Sequence, residues 1–120
     1  MKTIIEQKEL FKKDFSSIAS DERESLIKQI NKFAKSYLNA KTTFLKNAYN
    51  PFIFNLKGDL ESSLYVLKLD HNIKIVCSFD EDPIFDQLLI TCFRLTKKND
   101  ADELYEQTGN SIYTKENLIR

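Results

Sequence analysis

The chain of 120 residues has little of what loops and cofactor sites need: two glycines, two prolines, two cysteines, one histidine and no tryptophan. Two glycines leave no room for a glycine-rich phosphate loop or a dinucleotide fingerprint. So few breakers also mean that most of the chain lies in regular elements. A single histidine, His71, flanked by Asp70 and Asn72, argues against a Ser-His-Asp triad, and no CxxC or HExxH spacing exists for zinc. No apolar run approaches ~18 residues, so no membrane span is expected, and Met1-Lys2-Thr3-Ile4-Ile5-Glu6 meets charge too early for a signal peptide. There is no net charge either: 18 Lys and Arg balance 18 Asp and Glu. Diffuse attraction to nucleic acid is therefore weak, although charges can still segregate onto one face. Cys77 and Cys92 both fall in apolar runs and read as buried free thiols of a reducing compartment. The cytoplasm is the expected location.

What is present is apolar and aromatic. Apolar residues make up 42 %, with nine Phe and five Tyr, enough for one folded domain over 1–120. Thr3–Gln7 reads as a short strand. Leu10, Phe11, Phe15 and Ile18 recur at helical spacing and predict a helix over Glu9–Ala19. Ser20 is placed to cap a second helix, with Asp21, Glu22 and Glu24 in its first turn. Its stripe is Leu26, Ile27, Ile30, Phe33, Ala34, Tyr37 and Leu38. The two helices are expected to form a helical hairpin. Thr42–Pro51 has no period, and Phe52, Phe54 and Leu56 alternate as in a short extended segment ended by Lys57-Gly58-Asp59.

Leu64–Leu69 and Ile73–Phe79 read as strands joined by Asp70-His71-Asn72. A three-residue loop pairs Leu67 with Ile75 and Tyr65 with Cys77; a one-residue slip would set apolar against polar side chains. Such loops need a left-handed residue, which Asn72 tolerates. Lys68 then lies opposite Lys74, away from Leu67 and Ile75. That pair is either a solvated surface or an anion site. Glu81-Asp82-Pro83 reads as a turn, with Asp80 completing an acidic run best explained as a solvated loop. Gln87–Thr96 is nearly all apolar, as in a strand covered on both faces. Asp100 is placed to cap a short helix over Ala101–Gln107, and Gly109–Arg120 has no clear pattern. Helices first and strands later predict an α+β fold with the hairpin on a small antiparallel β-sheet.

The remaining chemistry is cationic with one phenol. Lys68 and Lys74 share a face, Arg94, Lys97 and Lys98 cluster at a strand end, and Tyr105 follows. Lysine, arginine and tyrosine can transfer protons and hold phosphorane charge without metal or histidine. Tyr105 could equally stack on a base or belong to the core.

Asn55-Leu56-Lys57-Gly58, Leu64–Leu69, Ile73–Val76, Phe93–Lys98 and Asp102-Glu103-Leu104-Tyr105, in that order, resemble the RelE/ParE/HigB superfamily of bacterial toxins from type II toxin–antitoxin pairs. The resemblance spans about Asn55–Gln107. It implies a RelE-like fold and a metal-independent endoribonuclease that cleaves mRNA at the ribosome without any cofactor. Its partner would be a cognate antitoxin protein. By position Lys68, Lys74, Lys98 and Tyr105 would be catalytic, and Lys57, Arg94 and Lys97 would bind RNA. Val66 stands where the family has its first lysine. Two lysines replace arginines, which removes bidentate phosphate geometry. The alternative implied is a non-catalytic member that binds a protein, either a ParE-like gyrase inhibitor or an inactive toxin homologue.

Overall fold

In the computed structural model, which describes all of Met1–Arg120, the long apolar strand of the second half sits between two partners of opposite sense. The strands are β1 (Lys2–Gln7), β2 (Ala48–Tyr49), β3 (Leu64–Lys68), β4 (Lys74–Asp82) and β5 (Gln87–Thr96). They form one five-stranded sheet in the order β1-β5-β4-β3-β2. β3, β4 and β5 form an antiparallel meander, but β1 runs parallel to β5, with Ile5 beside Ile90. The sheet is therefore mixed, not purely antiparallel.

The helical hairpin is also corrected. There are four helices: α1 (Glu9–Ser16), α2 (Ser20–Asn39), α3 (Lys41–Asn47) and α4 (Ala101–Lys115). α1 lies on β5, while α2 packs with α3. The reason lies in β1: a parallel partner for β5 requires the chain to cross over the sheet, and α1 is part of that crossing. Phe11 anchors α1 in the main core. Ser20 is the first helical residue of α2, not its cap. α3 stands where no period was legible, and its anchor is Phe44, which meets Tyr37, Tyr65 and Phe79 edge-on at 5.0–5.2 Å between ring centres.

Alternation along the strands divides the interior in two. Leu67, Ile75, Cys77, Phe79, Ile90 and Cys92 face α1, α2 and α3. From α2, Leu26, Ile30 and Ala34 are buried on this side, and Phe33 is half-buried against it. The two cysteines are free, buried and directly opposite one another. Leu64, Val66 and Val76 face α4, whose Ala101, Leu104, Tyr105 and Tyr113 cover them. The β3–β4 register is the expected one, including Lys68 opposite Lys74. Its loop uses two left-handed residues, His71 as well as Asn72, both with φ near 60°. Phe52–Leu56 is not a strand; Leu56 bridges only to Ile119 of the tail.

α4 is not short. It runs through Gly109 and gives the tail its structure. Gly109 permits this because the Phe54 ring lies against its backbone, where a Cβ would stand. Alanine in a helix interior is worth about 1 kcal/mol over glycine. Here the Phe54 ring is wedged among Phe52, Tyr105 and Tyr113, so overpacking costs about 1–3 kcal/mol and decides the sign. Gly109→Ala is expected to lower the urea midpoint; a raised midpoint would show that the ring moves freely.

Candidate functional site

The cationic residues singled out by sequence come from three parts of the molecule. Lys68, Lys74 and Thr96 form one cross-strand row at the end of β3, β4 and β5. They lie on the α4 side, beyond Val66 and Val76. Lys98 follows just outside the strand, its backbone N–H donating to the Thr96 hydroxyl at 3.0 Å. Lys68, Lys74 and Lys98 have no carboxylate within 4.0 Å. Two of the nearby acids have other partners. Asp100, at the start of α4, accepts from the Thr96 hydroxyl at 2.6 Å instead of capping the helix. Asp102 accepts from the Tyr49 hydroxyl at 2.7 Å. The Lys68 ammonium stands 5.4 Å over the Tyr49 ring.

Arg94 is not free for phosphate. Its Nε and Nη2 donate to Asp14 at 2.9 and 3.2 Å, and the Leu95 N–H donates to the same carboxylate at 2.9 Å. Hydrogen bonding to Asp14 raises the guanidinium pKa. β5 carries a bulge here: Val76 pairs with Arg94 and Cys77 with Cys92, leaving Phe93 unpaired, so Arg94 shares the sheet face of Val76 and meets Asp14 from there. Bulges bend a strand and re-aim its side chains. Lys97 pairs with Glu22 of α2 at 3.4 Å. Lys57 bonds Asn117 at 3.2 Å beside the C-terminal end of α4, about 20 Å of helix from its N-terminus. These three expected RNA contacts are thus tied to other elements.

Tyr105 is internal. It is 0 % exposed, its hydroxyl donates to the Leu64 carbonyl at 3.0 Å, and Asn50 Nδ2 approaches that hydroxyl at 3.4 Å. Leu104 and Tyr105 turn toward the sheet, so the helix periodicity that placed the phenol near the lysines also buries it. A phenol held this way cannot reach a phosphate.

The four residues expected to be catalytic do not share a concavity. Lys98 lines a cleft of about 350 Å³ with Asp14, Arg94 and Lys97. Lys68 lines another, of about 360 Å³, with Gln29, Lys32 and Asp70. Lys74 and Tyr105 line neither. A larger cleft of about 720 Å³ runs between the start of α1 and α4, over Phe93 and Arg94. It was not foreseen. Its one sequence signal is the slip in β5 alternation, where core positions pass from Cys92 to Leu95 rather than Arg94. No group of His, Cys, Asp and Glu is arranged to hold a metal ion, and no helix is long and apolar enough to cross a membrane.

No family model matches the chain, and no curated protein or solved structure is found to be similar to it.

Two outcomes follow from these buried phenols and thiols. Tyr105→Phe leaves the Leu64 carbonyl without its phenolic donor and is expected to cost about 1–3 kcal/mol in denaturant unfolding; an unchanged midpoint would mean that Asn50 alone satisfies it. Burial raises the pKa of all five tyrosines. Tyr49, which also donates to Asp102, reaches about 12. Cys77 is pushed well up and Cys92 to about 12. The folded state holds these protons where the unfolded chain releases them. Stability is therefore complete below the ordinary thiol value of 9.0 and falls as pH rises toward about 12. Tyrosinate absorbance should appear together with loss of circular dichroism. Ionisation near pH 10.0 in a still-folded protein would contradict this.

Proposed function

We propose that the protein is a non-catalytic binding module, corresponding to the reading in which a RelE/ParE-like chain engages another protein without cleaving RNA. The observation that carries this is the dispersal of the expected catalytic set: Lys68 and Lys98 line separate clefts, and the Tyr105 phenol is internal. Cleavage without metal needs a base, a charge clamp and an acid around one phosphate, which favours the binder over the nuclease. The lysine row remains as a docking strip. Lys68, Lys74 and Lys98 have no ionic partner of their own, so an acidic segment of a protein partner meets them without breaking an existing pair. Such contacts steer association and select partners more than they add affinity. In the toxin–antitoxin pairs the chain resembles, that partner would be the antitoxin.

The test is co-expression with the product of the adjacent reading frame. Wild type should co-purify with it, and Lys68→Glu/Lys74→Glu should lose it while keeping its circular dichroism. Primer extension should find cellular mRNA intact in both cases. Cleavage that Lys74→Ala abolishes would restore the nuclease reading. Co-purification unchanged by charge reversal would remove the lysine row from the interface.

A further inference from the structure

The two edges of the sheet differ. At one edge β2 has only two residues, and the next acceptor, the Leu64 carbonyl, is taken by Asn50 Nδ2 at 2.7 Å and by Tyr105. At the other edge stands β1, six residues long, with nothing paired to its outer side. Lys2 and Lys8 donate their N–H groups inward, to Asp86 and Cys92 of the β5 side, each at 3.0 Å. In a parallel ladder the inward groups belong to alternate residues. Lys2, Ile4, Glu6 and Lys8 therefore face β5, and the N–H and C=O of Thr3, Ile5 and Gln7 point outward. A row of this kind is a template for another strand.

We propose that β1 pairs antiparallel with β1 of a second copy of this chain, joining two sheets into one of ten strands about a two-fold axis. Ladder geometry requires outward residues to meet outward residues, so position numbers across the pair must sum to an even number. A sum of eight sets Thr3 opposite Ile5 of the copy as hydrogen-bonded pairs and Ile4 opposite its own copy on the axis. It also sets Lys2 opposite Glu6 twice, in the closely spaced non-hydrogen-bonded positions where side chains interact most. A sum of ten sets Lys2 against Lys8 and Ile4 against Glu6; a sum of six shortens the ladder. Charge therefore selects one register. The charges that guard a free edge against wrong partners are complementary to themselves only there. Glu6 already meets Lys8 of its own strand at 3.7 Å, but both side chains are about half exposed (50 % and 52 %), so that pair is weak and Glu6 can turn to the copy. An isologous interface of this kind closes after two subunits.

The experiment is sedimentation equilibrium of the whole protein across the micromolar range. Wild type should dimerise. Lys2→Glu and Glu6→Lys should each weaken the dimer by about tenfold, because each change converts two attractive pairs into repulsive ones. Lys2→Glu/Glu6→Lys together should restore it. Ile5→Pro, which removes an outward N–H and leaves the β5 ladder intact, should give a folded monomer by circular dichroism. A monomeric wild type would overturn the proposal. So would a dimer that survives Ile5→Pro, or a double charge swap that fails to recover what the single changes lose.

Discussion

The carboxylate of Asp14 ties the first helix to β5 across 80 residues of sequence. It accepts three hydrogen bonds from β5, two from Arg94 and one from the Leu95 amide. Its side chain is only 19 % exposed, and that of Arg94 28 %. Water competes poorly there, and bidentate Arg–carboxylate geometry is the strong form of such a bond. The tie fixes the end of α1 against the sheet, and with it the crossing that lets β1 run parallel to β5. With α1 in place, α2 and α3 cover the rest of that face. α4 is left to close the other.

The same tie shapes the chemistry of the surface. A guanidinium bound to a carboxylate is not available to a phosphate, even though the bulge at Phe93 sets Arg94 on the same sheet face as the lysine row, opposite Val76. Lys97 serves α2 through Glu22, and Lys57 serves the tail through Asn117. What remains is a short strip of lysines beside a helix with two first-turn acids, Asp102, which accepts from Tyr49, and Glu103. Of the cations near the strand ends, Arg94 and Lys97 are matched by acids brought from distant sequence, Asp14 and Glu22, and Lys68, Lys74 and Lys98 are not.

The aromatic residues divide in the same spirit. Tyr37, Phe44, Tyr65 and Phe79 interlock on one face, while Phe54, Tyr105 and Tyr113 stack beneath α4 on the other. Where a phenol is buried its oxygen finds a partner: Leu64 for Tyr105 and Ser62 for Tyr113, at 2.6 Å. No buried side-chain polar atom is left without a hydrogen bond. An aromatic beside basic residues in sequence is thus no guide to an exposed stacking platform when helix periodicity turns it inward.

Local patterns were enough for part of this structure. The stripe of α2, the β3–β4 register with Lys68 opposite Lys74 and the burial of Cys77 and Cys92 all follow from spacing over ten or twenty residues, because solvent separates apolar from polar side chains at short range. The parallel place of β1, the separate seats of α1 and α2, the length of α4 and the burial of Tyr105 were decided by tertiary structure. Each depends on a partner far away in sequence: β5 for β1, Arg94 for Asp14, Phe54 for Gly109 and Leu64 for Tyr105. Periodicity tells a side chain which face of its own element it occupies. Only packing tells it whether that face meets water or another element, and for the candidate site that was the deciding difference.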